Sequence, residues 1–127
     1  MQHLEFEQLL DLHAIAIARY GGSEGVKDAG RLEAVIATQS QQVFGIELYP
    51  GVHEKAAAMM RGIVADHPFY DGNKRTGLLV ALTFMEINGI QTNAIKGELE
   101  DFAVTVAVDH LSVEDIASWL KAHTSLV

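Results

Sequence analysis

Residues His67-Pro68-Phe69-Tyr70-Asp71-Gly72-Asn73-Lys74-Arg75-Thr76-Gly77 lead into an apolar run, Leu78, Leu79, Val80, Ala81, Leu82, Phe84, Met85 and Ile87, relieved only by Thr83 and Glu86. The first half reads as a tight loop, because Pro68 disfavours helical angles for His67 and Gly72 reaches backbone angles that other residues avoid. The second half, from Lys74 to Asn88, is apolar on nearly every side, the pattern of a buried helix, and Asn88-Gly89 supplies its stop. The loop therefore stands at the N-terminus of a central helix, where unpaired N–H groups and the positive dipole end attract anions. Lys74 and Arg75 add full charges there, Gly72 and Asn73 offer amide donors, and Asp71 offers a hard oxygen suited to a magnesium ion shared with phosphate oxygens. His67 contributes the one side-chain type whose unperturbed pKa lies near neutrality. Phe69, an aromatic among polar and turn residues, is expected to anchor the loop in the core. The bland alternative is a capped basic helix end, with Asp71 or Asn73 as the cap. Six chemically apt residues in nine positions favour a phosphate site with a base beside it. Such a site suits transfer of a phosphate-containing group from a nucleoside triphosphate to a hydroxyl.

At these residues the chain resembles the Fic/Doc superfamily, and within it the death-on-curing (Doc) branch, the toxin half of bacterial and phage toxin–antitoxin pairs. The wider Fic pattern has Gly where this chain has Lys74, and a second Arg where it has Leu78. The resemblance runs from Arg19-Tyr20-Gly21-Gly22 through Asp28 and the segment 44–50 to Asn88-Gly89, and it makes Arg19 a candidate support of the site. It implies an all-α fold: a compact bundle of about six helices around a central buried helix, with the motif loop at its N-terminus, in a single domain spanning residues 1–127. In the broader Fic family the Gly-Asn-Gly form cradles the nucleotide so that AMP is transferred. A lysine at that point implies the reversed nucleotide of the Doc branch, with the gamma-phosphate of ATP facing His67, and hence a protein kinase. His67 would then be the base, Asp71 would hold Mg2+, and Gly72, Asn73, Lys74 and Arg75 would bind the phosphates. The family's target, a threonine of elongation factor Tu, implies arrest of translation. Two alternatives stand beside this reading: an AMP transferase, and a non-catalytic binding module, which the intact set His67, Asp71, Asn73 and Arg75 disfavours. The inhibitory helix pattern Ser/Thr-x-x-x-Glu-Gly/Asn of many AMP-transferring relatives has no match in the chain. The brake is therefore expected in trans, from an antitoxin whose disordered segment folds onto the toxin.

Working outward, residues 5 to 20 place Phe6, Leu9, Leu10, Leu12, His13, Ala16 and Ile17 at helical spacing ahead of Gly21-Gly22, with His13 expected at the edge of the core. Asp28 is a fitting N-cap for a helix carrying Leu32, Val35 and Ile36, although Gly30 weakens it by roughly 1 kcal/mol relative to Ala. Residues 44 to 51 read as a connecting segment, made extended or turned at Tyr49-Pro50. A helix is expected over 52–66, where Ala56-Ala57-Ala58 permits close approach by the central helix and Met59 and Met60 fill the core. His53-Glu54 opens like a zinc-protease motif, but Ala57 stands where the second histidine would be needed. Ile90-Gln91-Thr92 reads as a short extended piece. Residues 95 to 109 read as a helix through Leu99, Phe102, Ala103, Val106 and Ala107, since no partner strands are expected for the β-branched run 104–108. Ser112 caps a last helix whose inward face is Ile116, Trp119 and Leu120.

The 127 residues, 49% hydrophobic and 20% charged, suffice for one domain with its own core. The net charge of -8 disfavours direct nucleic-acid binding; it suits solubility, or a basic partner segment. With no cysteine, no signal-like N-terminus and no apolar run near the roughly 20 residues of a membrane span, a cytoplasmic location is expected.

Overall fold

The computed structural model describes residues 1–95 and 97–127. In chain order they form α1 (Phe6–Tyr20), α2 (Ala29–Ala37), a 3-10 turn (Thr38–Ser40), β1 (Gln42–Val43), β2 (Ile46–Glu47), α3 (Val52–Asp66), α4 (Asn73–Ile87), β3 (Ile90–Thr92), α5 (Glu98–Val108), α6 (Val113–Ala122) and β4 (Thr124–Leu126). The apolar run after the motif is α4, and it packs against α1, α3, α5 and β3, which explains why it needs apolar residues on so many sides. Its closest partner is α3, which buries Ala56, Ala57, Ala58, Met59, Met60, Ile63 and Val64. The mostly helical architecture around a central helix is the one expected.

The two central helices pack tightly against each other at Gly77. A Cβ built there would lie 2.8 Å from Val64 Cγ2 and 3.2 Å from the Met60 carbonyl oxygen. Gly77→Ala should therefore be destabilising. The helix-propensity gain of about 1 kcal/mol is outweighed by overpacking that costs about 1–3 kcal/mol, because α3 backbone cannot retreat without disturbing the core. Urea unfolding should show a net loss on the order of 1 kcal/mol. A more stable variant would mean that the helices slide apart freely.

Local chemistry sets several boundaries where expected. The Asp28 side chain accepts a hydrogen bond from Arg31 N at 3.1 Å, and Ser112 Oγ accepts one from Asp115 N at 3.1 Å, so both residues cap their helices. α5 begins at Glu98, later than residue 95; Lys96, within the expected helix, lies outside the described residues. Ile116 and Leu120 are fully buried, whereas Trp119 stacks at the edge between Phe102, centroids 3.9 Å apart, and His123, centroids 3.7 Å apart.

Two features differ from expectation. Strand partners do exist: β3 pairs antiparallel with β4, Ile90 opposite Leu126, because the end of the chain returns past the stop of α4. The segment read as a plain connection contains most of a β1–β2 hairpin, whose two loop residues, Phe44 and Gly45, both have positive φ, 51° and 77°, as a two-residue primed turn requires. The hairpin is seated by Lys55, 1% exposed, whose Nζ donates to the Gln39 carbonyl at 2.7 Å and to Glu47 Oε1 at 2.9 Å. A lysine on an alanine-rich helix looks like a surface residue, and only its partners reveal otherwise. Among the described residues, no helix is long and apolar enough to cross a membrane.

At the start of α3, burial holds the His53 imidazole below its ordinary pKa of 6.5, and the hydrogen bond from Lys121 holds Glu54 below the usual carboxylate value of 4.5. Both folded values lie below the unfolded ones, so protonation favours the unfolded chain and stability is lost as pH falls. The His53 contribution is complete above its unfolded value of 6.5 and fades as pH drops through the lower folded value. The melting temperature should be lower at pH 5 than at pH 7, and the gap should narrow in His53→Gln.

Candidate active site

α3 stops because Pro68 excludes the helical region for the residue before it. His67 instead takes a left-handed conformation, φ 50° and ψ 60°, with its N–H donating to the Ile63 carbonyl at 3.2 Å. The chain turns out of the helix and leaves the imidazole exposed. The segment after it is stitched to residues 25–28: the Pro68 carbonyl accepts from Lys27 N at 2.8 Å and Asp28 N at 3.0 Å, and Tyr70 N donates to the Gly25 carbonyl at 3.3 Å. Gly72, at φ 73°, then turns the chain into α4.

Asn73 is the inner clamp of the loop. Its Oδ1 accepts from Phe69 N at 3.1 Å and its Nδ2 donates to the Phe69 carbonyl at 3.0 Å, a pairing that fixes the amide orientation. Nδ2 also lies 3.4 Å from His67 Nδ1, at the outer limit of a hydrogen bond, so it orients the ring weakly. With its side chain committed to the loop, Asn73 can offer a phosphate only its backbone N–H, one of the unpaired donors at the start of α4.

Asp71 is held by three backbone-centred contacts. Its Oδ2 accepts from Ser23 N at 3.1 Å, its Oδ1 accepts from Gly72 N at 2.9 Å, and its carbonyl lies 2.9 Å from His13 Nε2. A carbonyl can only accept, so His13 Nε2 carries the proton. His13 is 5% exposed and stacks on Phe69 with centroids 3.9 Å apart and planes 3° apart. Phe69 is buried, as expected of an anchor. His13, expected as a core-edge residue, thus ties α1 to both the anchor and the Asp71 backbone. Nothing in the local pattern of α1 announces this, because its partner is 58 residues away. His13→Phe should keep the stack and lose the hydrogen bond, so the group transfer expected of the motif should fall roughly 10-fold while the melting temperature changes little. Equal activity in the two proteins would show that the stack alone holds the loop.

These residues face a cavity of about 700 Å³, within the range of small-molecule sites. His67, Tyr70, Asp71, Gly72, Asn73, Lys74 and Arg75 all line it, so the structure brings the expected phosphate and base residues together. Arg19 is exposed in the last turn of α1 and is not part of the lining, whereas its neighbour Tyr20 is. The Arg75 guanidinium sits 4.0 Å from the centroid of the Tyr20 ring, a cation–π contact that holds it at the rim. Arg61 also lines the cavity, so among the described residues three Lys/Arg side chains face it with Asp71 as the single acid, in a chain of net charge -8. Cationic lining in an acidic protein focuses attraction for anions at this one place. No cluster of three metal-ligating side chains occurs among the described residues, so an ion here would depend on Asp71 together with oxygens of a bound substrate and water.

The chain matches the family model described as Fic/DOC family across residues 3–85. It is 36% identical over 121 residues to a protein named Toxin Doc from Mycolicibacterium smegmatis, a match covering 94% of this chain and 91% of that protein. It is 37% identical over 121 residues to Protein kinase doc of Escherichia phage P1, covering 95% of this chain and 94% of that one.

Proposed function

The chain belongs to the Fic/DOC family, and from that premise we propose that it is the toxin of a toxin–antitoxin pair, a protein kinase that moves the gamma-phosphate of ATP to a serine or threonine hydroxyl. The observation that carries this reading is the cavity at the start of α4, where His67, Asp71, Lys74, Arg75 and unpaired backbone N–H groups converge. The names of the two relatives, Toxin Doc and Protein kinase doc, support it.

In the proposed reaction, His67 takes the proton from the acceptor hydroxyl as its oxygen forms a bond to the gamma-phosphorus. The bond from that phosphorus to the beta–gamma bridging oxygen breaks, and ADP leaves. Lys74, Arg75 and the N–H groups of Asn73, Lys74 and Arg75 neutralise charge on the transferred group and on the departing oxygen. The exposed Asp71 carboxylate fits a Mg2+ ion, since each oxygen accepts one backbone N–H and keeps a further lone pair for a cation. When bound with ATP, Mg2+ would draw charge from the phosphate oxygens. The choice of gamma- over alpha-phosphate rests on Lys74, whose charged side chain stands where the AMP-transferring pattern has glycine. Elongation factor Tu is the proposed acceptor, on the strength of the family resemblance. The antitoxin is expected to supply a segment that folds on binding.

The test is transfer with purified protein, Mg2+ and host lysate, using ATP labelled at the gamma- or the alpha-phosphate. Label from gamma-ATP on a band the size of elongation factor Tu supports the proposal. Label from alpha-ATP alone overturns it in favour of AMP transfer, and no label from either leaves a binding module.

A further inference from the structure

The cavity extends beyond the motif. Its far wall is built from Arg61 on α3 and from Val106, Ala107, His110 and Leu111 at the end of α5. The α5 portion lies outside residues 3–85, the part matched by the family model. Arg61 Nε donates to the Leu111 carbonyl at 3.2 Å, which fixes the guanidinium against the α5–α6 connection. Among the described residues Arg61 forms no ion pair, and the bond from Nε to Leu111 is its one side-chain hydrogen bond. His110 adopts a left-handed φ of 50°, as His67 does at the other end. Non-glycine residues persist in that region where their surroundings impose it, often at ligand sites.

Arg61 precedes His67 by six residues on α3, about 9 Å along the helix axis. The cavity thus has two cationic poles: one beside the base at the start of α4, the other at Arg61, with His110 beside it in the lining. Between them the wall is aliphatic, from Val64, Val106, Ala107 and Leu111. A phosphate at the Arg61 pole would lie against this apolar wall with no helix N-terminus to receive it. A flat, neutral ring suits the same surroundings better. It lays one face on aliphatic groups and stacks the other on the planar guanidinium.

We propose that Arg61 and His110 frame the nucleobase subsite of this cavity and that it takes a purine, whose two fused rings give the Arg61 guanidinium a larger face to stack on than a pyrimidine does. The inference rests on reading the cavity as a nucleoside triphosphate site, and it adds the residues that hold the end opposite the reacting phosphate.

The discriminating experiment compares binding of ATP, CTP and inorganic triphosphate, each with Mg2+, to the intact chain and to Arg61→Ala, Arg61→Lys and His110→Ala. The wild-type chain should bind ATP more tightly than CTP or triphosphate. Arg61→Ala should weaken ATP about tenfold and leave triphosphate unchanged. Arg61→Lys, which keeps the charge and loses the plane, should resemble the alanine variant, and His110→Ala should weaken ATP without affecting triphosphate. An equal loss for ATP and triphosphate, or full recovery in Arg61→Lys, would make Arg61 a phosphate contact and overturn the proposal. Unchanged ATP binding with weaker use of the acceptor protein would assign this wall to the acceptor and overturn it as well. If the wild-type chain binds neither ATP nor triphosphate, the reading of the whole cavity fails, and this subsite with it.

Discussion

His67→Ala is expected to abolish transfer to the acceptor, with a fall of about 10²–10⁴-fold in kcat, the usual contribution of a positioned general base. The fold should survive. The side chain is exposed and makes the weak 3.4 Å approach to Asn73 Nδ2, so truncation removes little burial and one marginal hydrogen bond. The backbone keeps its left-handed turn because Pro68 and the hydrogen bond to the Ile63 carbonyl impose it. Single-turnover transfer from gamma-labelled ATP should therefore collapse, while ATP binding and the melting temperature stay close to wild type. Retention of transfer within a few-fold would remove His67 from the chemistry and point to the acceptor hydroxyl ionising without a protein base.

Gly22→Ala should cost on the order of 100-fold in transfer through Asp71, a residue 49 positions later in the chain. Gly22 sits at φ 121°, which side-chain-bearing residues rarely adopt, and a Cβ there would lie 2.7 Å from Asp71 Oδ2 and 3.1 Å from Ile17 Cδ1. Either the loop after α1 retreats or the carboxylate swings away. Both break the hydrogen bond from Ser23 N to Oδ2 that now orients it. The strain is of order 1–3 kcal/mol and is confined to an exposed loop, so global unfolding should change less than activity does. The informative readout is the Mg2+ dependence. If Asp71 holds the ion, half-maximal transfer should need more Mg2+ in the variant. A loss of activity at unchanged Mg2+ dependence would make Asp71 a latch for the loop and remove it from the metal site.

Much of this was legible in the chain by itself, for local reasons. The end of α3 at Asp66, the turn at His67, the caps at Asp28 and Ser112, and the start of α4 follow from steric rules and hydrogen bonds among residues at most four positions apart. The buried character of α4 followed from apolar residues on every side of one helical period. The motif residues were legible for the same reason: a tight turn running into a helix must present its side chains and its unpaired N–H groups together.

The supports of that site were not legible. His13 bonds to Asp71, Gly22 makes room for its carboxylate, Tyr20 lies under Arg75, and Arg61 closes the far wall with Leu111. Each pair joins residues tens of positions apart, and neither member shows a pattern of its own that would identify the other. Lys55, with partners 8 and 16 positions away, and the strand partner of β3 are likewise set by contacts beyond local reach. The sequence by itself therefore determined the helices, the motif loop and which side chains that loop presents, because periodicity, capping and the proline constraint act within a few residues. Tertiary structure alone decided what holds Asp71 in place and how far the cavity extends, because those depend on which faces α1, α3 and α5 turn toward α4 when the core packs.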